Sequence, residues 1–269
     1  MTEEAKVHIL LRFRAMMYAK EERGHGIVLA IETRGLSKKY KNIIAVDKLD
    51  LEIQQGELFS LLGVNGAGKT TTIKMLTGLT KPTEGEAFTG GFSVIREADQ
   101  VKGLIGVSPQ ETAVALNLSV AENLEMLCGI YGLAREETQK RIRELSEMLS
   151  LEEVLSRKAG KLSGGGQRRV SIAMALIGYP RILFLDEPTL GLDVLSRQAL
   201  WDVIRSLKGK VTIILTTHYM EEAEKLSDRV GIMKNGRLLA VGSVEELKEK
   251  TGCEDFEAAF ISVVKGDGI

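Results

Sequence analysis

The stretch ELFSLLGVNGAGKTT, residues 57–71, decides how this chain is read. Its first part, Glu57 to Leu62, is an apolar run of strand length that feeds a glycine-rich turn and then a helix-forming segment. Gly63, Gly68, Lys69 and Thr70 meet the spacing GxxxxGK[ST]. In that arrangement main-chain N–H groups wrap phosphate oxygens at the positive end of a helix. Asn65, Gly66 and Ala67 fill the turn, Lys69 reaches toward the β and γ phosphates, and the Thr70 hydroxyl, with Thr71 beside it, is placed for magnesium.

Outward from this loop, strands are expected at Ile27 to Glu32 and Leu49 to Ile53 before it, and at residues 103–108 (GLIGVS) after it. From Ser119 to about Ile177 the pattern is helical, with Ile142, Leu145 and Leu149 at helical spacing between charges. Then follow the strand RILFLD (181–186), a helix from about Leu195 to Leu207, the strand VTIILTT (211–217) and a short helix around Glu221 to Leu226. GIMKNGRLLAVG closes the series as a hairpin, because Asn235-Gly236 between apolar strands marks a two-residue turn. Strands alternating with helices in this order imply an α/β fold with a largely parallel sheet.

Two further elements carry chemistry. The apolar strand ILFLD delivers Asp186 and Glu187 at its C-terminal end, where open α/β sheets bind ligands. Asp186 can hold magnesium and Glu187 can polarise an attacking water. In LSGGGQRRV (162–170), Ser163 can cap the helix that follows, while Gly164 and Gly165 let backbone approach a phosphate.

Together the phosphate loop, the acidic strand end and LSGGGQRRV resemble the ATPase subunits of ABC (ATP-binding cassette) transporters, and the resemblance runs from about residue 31 to 242. The fold it implies is a P-loop NTPase (RecA-like) core with an N-terminal antiparallel β-subdomain and an inserted helical subdomain, about 112–177. The ATPase domain would run from 27 to 242, between an N-terminal extension (1–26) and a short helical tail (243–269). ATP and Mg2+ are the implied ligands. Further positions match by resemblance: Tyr40 as the aromatic that stacks on adenine, Gln110 as a ligand of magnesium or water, Asp193 in the loop facing the opposite subunit, and His218 as the contact to the γ-phosphate. Alone, each would pass for an ordinary strand, loop or turn residue. The implied set is catalytic Glu187, His218 and Lys69, magnesium at Thr70, Gln110 and Asp186, and nucleotide on the phosphate loop and on a partner's Ser163, Gly164 and Gly165. One departure stands out: Gly166 occupies the position where the family usually has Gln.

The implied partners are a second copy or a paired ABC subunit, and a separate integral-membrane permease. A triphosphate cannot sit on the phosphate loop and on LSGGGQRRV of one subunit at once, so a site shared between two subunits is expected. The tail and the run TTHYMEEAEKLSDRV resemble the ATPases of drug, sodium or glycoconjugate exporters. A soluble ABC ATPase without transport, and an ATP sensor without turnover, share the same motifs and remain open at this point.

Composition bounds the remaining classes. Lys plus Arg (36) nearly cancels Asp plus Glu (37), so no overall field draws in nucleic acid, and none is expected as a partner. Cys128 and Cys253 stand apart with no CxxC pattern, which argues against a disulfide framework or a zinc site. The longest apolar runs are strand-length, short of the roughly 20 residues that cross a bilayer. A cytoplasmic protein is therefore expected, and the resemblance implies a peripheral position on the inner face of the membrane. In the N-terminal extension, Ile9, Leu10, Leu11, Phe13 and Met16 could form one face of a short helix.

Overall fold

Three strands are buried at every position and form the centre of the molecule: β3 (Leu58–Leu62), β7 (Ile182–Asp186) and β8 (Thr212–Thr217). Runs of this kind belong in parallel sheets covered on both faces. In the computed structural model, which describes residues 29–266, β6 (Ile105–Ser108) lies at one edge of their sheet. The hairpin of β9 (Arg229–Lys234) and β10 (Arg237–Gly242) lies at the other edge. The strand order is β10-β9-β3-β8-β7-β6, parallel throughout except for the β9–β10 hairpin. Leu62 pairs with Thr217 and Asp186 with Thr216, so the C-terminal ends of β3, β7 and β8 meet along one edge.

A second, antiparallel sheet is built from β1 (Leu29–Tyr40), β2 (Ile43–Gln54), β4 (Glu84–Thr89) and β5 (Phe92–Ser93), in the order β2-β1-β4-β5. Alternation along the central strands explains how the layers stack, since successive side chains point to opposite faces. Phe184 and Ile214 face the antiparallel sheet and pack with Ile31, Leu49, Ile53 and with Ile73 of α1 (Lys69–Leu76). Leu183, Leu185, Ile213 and Leu215 face the other way, into a helical layer.

That layer contains α3 (Val120–Ile130), α4 (Arg135–Leu149), α5 (Gly164–Leu176) and α6 (Val194–Leu207). Ser119 starts α3 through a capping box with Glu122, which satisfies two otherwise orphaned amides. A third cluster joins β9 to the C-terminal helices α8 (Val244–Thr251) and α9 (Phe256–Lys265), with Val230 and Ile232 against Leu247, Phe256 and Phe260. No helix among the described residues is long and apolar enough to cross a membrane.

Several sequence expectations change in detail. β1 and β2 are twelve residues each, longer than the strands expected at 27–32 and 49–53. Segment 103–108 is divided, because α2 (Ala98–Leu104) takes its first two residues and only Ile105–Ser108 pairs with β7. β4 was not anticipated: Glu84, Gly85 and Glu86 are exposed, so it lacks a clear apolar alternation. The expected N-terminal extension and its short helix lie outside the described residues.

Candidate nucleotide site

The phosphate loop is held by backbone from two elements. Gly63 N donates to Thr217 O at 3.2 Å, and Gly236 N, in the β9–β10 turn, donates to Ala67 O at 3.0 Å. The glycines at its ends answer close approach. A Cβ on Gly63 would lie 2.4 Å from Met233 O, and one on Gly68, at φ +105°, would lie 2.5 Å from Ala45 O. Only glycine adopts that backbone cheaply. Where the loop becomes α1, no side chain caps the helix and no acid occupies its first turn. Its amides are thus left for an external acceptor, at the positive pole of the helix. Asn65 and Gly66 are exposed, and Thr70 and Thr71 are half-buried.

Lys69 is 5% exposed, and its ammonium spends its three donors on Gly63 O (2.6 Å), Val64 O (3.3 Å) and Glu187 Oε1 (3.1 Å). The acidic pair arrives on β7. Asp186 Oδ1 accepts from the Thr70 hydroxyl at 3.1 Å and from the Thr216 hydroxyl at 2.5 Å. Glu187 follows with φ +49°, a left-handed conformation uncommon for a side-chain-bearing residue, and its N–H is held by Thr216 O at 3.1 Å and Thr216 Oγ1 at 3.0 Å. This kink turns the Glu187 carboxylate toward Lys69 on one side and toward His218 Nδ1, 2.8 Å from Oε2, on the other.

Residues from three separate segments therefore converge: Gly63 to Thr70, Asp186 and Glu187, and Thr216 to His218. The hydroxyl of Thr70 and the carboxylate of Asp186 form a set of hard oxygen donors. They suit Mg2+, which takes one or two carboxylates and completes its shell with water and phosphate oxygens. No cluster of three or more His, Cys, Asp or Glu residues able to enclose a metal occurs among the described residues.

The other expected residues have contacts of their own. Tyr40 is 44% exposed at the end of β1, with the Lys38 ammonium 5.0 Å from its ring centroid. Gln110 is exposed, while its main-chain carbonyl and that of Pro109 accept from the Arg168 guanidinium at 2.8 and 2.6 Å. Ser163 caps α5 by accepting from Gly166 N at 3.2 Å. The first turn of α5 packs on the segment after Glu187, since an added Cβ would meet Leu192 at 3.5 Å from Gly164 and Ser196 at 2.9 Å from Gly165. Asp193 uses both carboxylate oxygens on Ser196, at 2.7 Å to the hydroxyl and 3.0 Å to the amide, and so caps α6. The hydroxyl first and then the amide hold its pKa below the usual carboxylate range.

Sequence reasoning missed three supports of this site: Thr216, Arg168 and Glu222. Glu222, on α7 (Met220–Leu226), is wholly buried, and its Oε1 accepts from the Thr189 hydroxyl at 2.8 Å and the Trp201 indole at 3.0 Å. It thereby joins the chain after Glu187, helix α6 and the segment after His218. Burial pushes its pKa up, and the nearby Glu187 charge adds to that, while Thr217, Trp201 and Thr189 oppose it. Nothing in MEEAE separates this glutamate from its solvated neighbours.

Comparison with known proteins converges on the same reading. The family described as ABC transporter matches residues 46–190. The Mycobacterium tuberculosis (strain ATCC 25618 / H37Rv) doxorubicin resistance ATP-binding protein DrrA is 41% identical over 227 residues, covering 83% of this chain and 69% of DrrA. The human phospholipid-transporting ATPase ABCA3 is 40% identical over 230 residues, covering 84% of this chain, which spans only 14% of that relative. Among solved structures, an ATP-binding subunit of an ABC transporter superposes with TM-score 0.78 at 28% identity, covering 87% of this chain and 99% of its own. The ATP-binding cassette MJ0796, solved as a dimer in a post-hydrolysis state bound to ADP and Pi, gives TM-score 0.71 at 29% identity over 79% of this chain and 98% of its own. With half the chain matched by the family and most of DrrA covered at this identity, the chain belongs to the ATP-binding domains of the ABC transporter family.

Proposed function

We propose that this chain is the ATP-hydrolysing subunit of an ABC transporter, acting as a pair and driving export through a separate membrane permease. The observation that carries the proposal is the Glu187 carboxylate, buried and held between Lys69 at 3.1 Å and His218 at 2.8 Å beside an uncapped helix N-terminus.

In this reading the phosphate loop, from Gly63 to Thr71, binds the triphosphate, with Tyr40 against the adenine. Mg2+, held by Thr70, Asp186 and Gln110, would offset charge on the phosphates. Every donor of Lys69 is engaged within the chain, so a phosphate in the loop competes with Glu187 for the ammonium. Released from Lys69, Glu187 polarises the attacking water, and His218 keeps the carboxylate aimed and contacts the γ-phosphate.

The placement of α5 supports pairing. Its N-terminus, with Ser163, Gly164 and Gly165, offers a second set of phosphate-binding amides, yet it packs on Leu192 and Ser196. A partner's nucleotide is what would fill it, with Asp193 close to that interface. Support for export comes from the likeness to DrrA, a doxorubicin resistance ATP-binding protein, and the separate permease is part of the same reading. The inner face of the membrane is the location this implies.

A pull-down from detergent-solubilised membranes with tagged Glu187→Gln chain and ATP tests the transport assignment. A polytopic membrane protein in stoichiometric amount supports it; recovery of soluble machinery alone would contradict it.

A further inference from the structure

Arg168 is buried, 6% exposed, on the first turns of α5, and the described residues place no carboxylate within ion-pair distance of it. A guanidinium costs free energy to bury, so its hydrogen bonds show what it is for. Its two terminal nitrogens donate to Pro109 O (2.6 Å) and Gln110 O (2.8 Å), the first residues past β6. One turn along the same helix face, Ser171 Oγ meets Ser108 Oγ at 2.8 Å, also buried. Two adjacent rungs of α5 therefore grip residues 108–110. Burial pulls the Arg168 pKa down, and the charges of Asp186 and Glu222 oppose that, so its positive charge is set among the acids behind the nucleotide site.

We infer that Arg168 is the positioning residue that fixes Gln110 to helix α5, so that the helix presenting Ser163 to Gly165 and the loop presenting Gln110 move as one body. The inference deepens the ATPase reading and rests on it. A planar fork with two donors sets both the place and the orientation of the loop, which a single ammonium does not. Engagement of the α5 N-terminus by a partner's nucleotide would thereby reach the magnesium side of the chain's own site through one side chain.

The test uses the full chain carrying Arg168→Met and, separately, Arg168→Lys. Hydrogen exchange in the nucleotide-free protein gives the first readout. With both donors gone, amides in 109–113 should exchange at least about tenfold faster in the Met variant, while the centre of α5 stays protected. The second readout is kinetic. The Met variant should lose about tenfold or more in kcat and need several-fold more Mg2+ for half-saturation, with the KM for ATP within about twofold. Arg168→Lys should fall between the Met variant and wild type, and it supplies both readouts should the Met variant fail to fold. Wild-type exchange at 109–113 together with wild-type Mg2+ dependence in a folded variant would overturn the inference. Absence of ATPase activity in the wild-type chain would instead overturn the functional reading, and the exchange comparison would still decide whether Arg168 holds the loop.

Discussion

His218 Nδ1 lies 2.8 Å from Glu187 Oε2, and this contact orients a carboxylate whose backbone is already turned into the left-handed region. The imidazole is a quarter exposed whereas the carboxylate is buried, so the histidine closes the open side of the glutamate.

The first prediction concerns that carboxylate. Glu187→Gln keeps the shape of the side chain and can still meet His218 and Lys69, so folding and ATP binding should persist. Loss of the base should lower turnover by about a hundredfold or more. Phosphate release and equilibrium binding of ATP, measured on the same preparation, check it; unchanged turnover would remove Glu187 from the chemistry.

Gly68→Ala is predicted to abolish nucleotide binding before it unfolds the chain. The left-handed conformation alone costs roughly 1–2 kcal/mol, and the new Cβ must push Ala45 away from 2.5 Å. Gly66→Ala should be milder, because its added Cβ meets nothing within 4 Å although φ is +81°. Thermal melts with and without ATP separate the two outcomes.

Glu222 gives a pH dependence of definite sign. Its pKa is raised in the folded state, so the folded chain binds the proton more tightly than the unfolded chain does. Stability from this group is full at pH below the unfolded glutamate pKa and is lost as pH rises toward the folded value. The charged groups bearing on it are Glu187 and Arg168, with the Arg197 and Lys225 cations over Trp201 nearby. Glu222→Gln preserves the acceptor for Thr189 and Trp201 and should flatten this dependence. Trp201, the chain's single tryptophan, reports both the unfolding and the local titration through its emission. An identical pH profile in the variant would contradict the assignment.

Much of this arrangement was legible in the sequence, and the reason is local. Lys69, Asp186 and Glu187 sit at a strand end or in a loop whose residue types only make sense together, whereas His218 is assigned through the family resemblance. The twelve-residue length of β1 and β2 was not legible, because register irregularities interrupt the alternation that marks a strand. Arg168 and Glu222 were hidden for a different reason. Each lies in a charged run, QRR or EEAE, and which member turns inward is decided by packing against β6, α6 and β8. The resemblance places Asp193 in the loop facing the opposite subunit, and its capping of α6 shows a local role that the turn-like GLD pattern also allowed.

A prediction at α6 follows from that role. Asp193→Asn retains a good cap and should leave stability near wild type, whereas Asp193→Ala should weaken the start of α6. Denaturant unfolding of the two variants checks the order; equal loss in both would point to the charge rather than the cap.

The central claim, that two copies complete each other's sites around ATP, is tested most directly by sedimentation of the Glu187→Gln chain with and without Mg·ATP. A monomer that becomes a dimer holding two ATP molecules, only when ATP is present, is the predicted result. A chain that binds ATP yet sediments as a monomer at every protein concentration would contradict it.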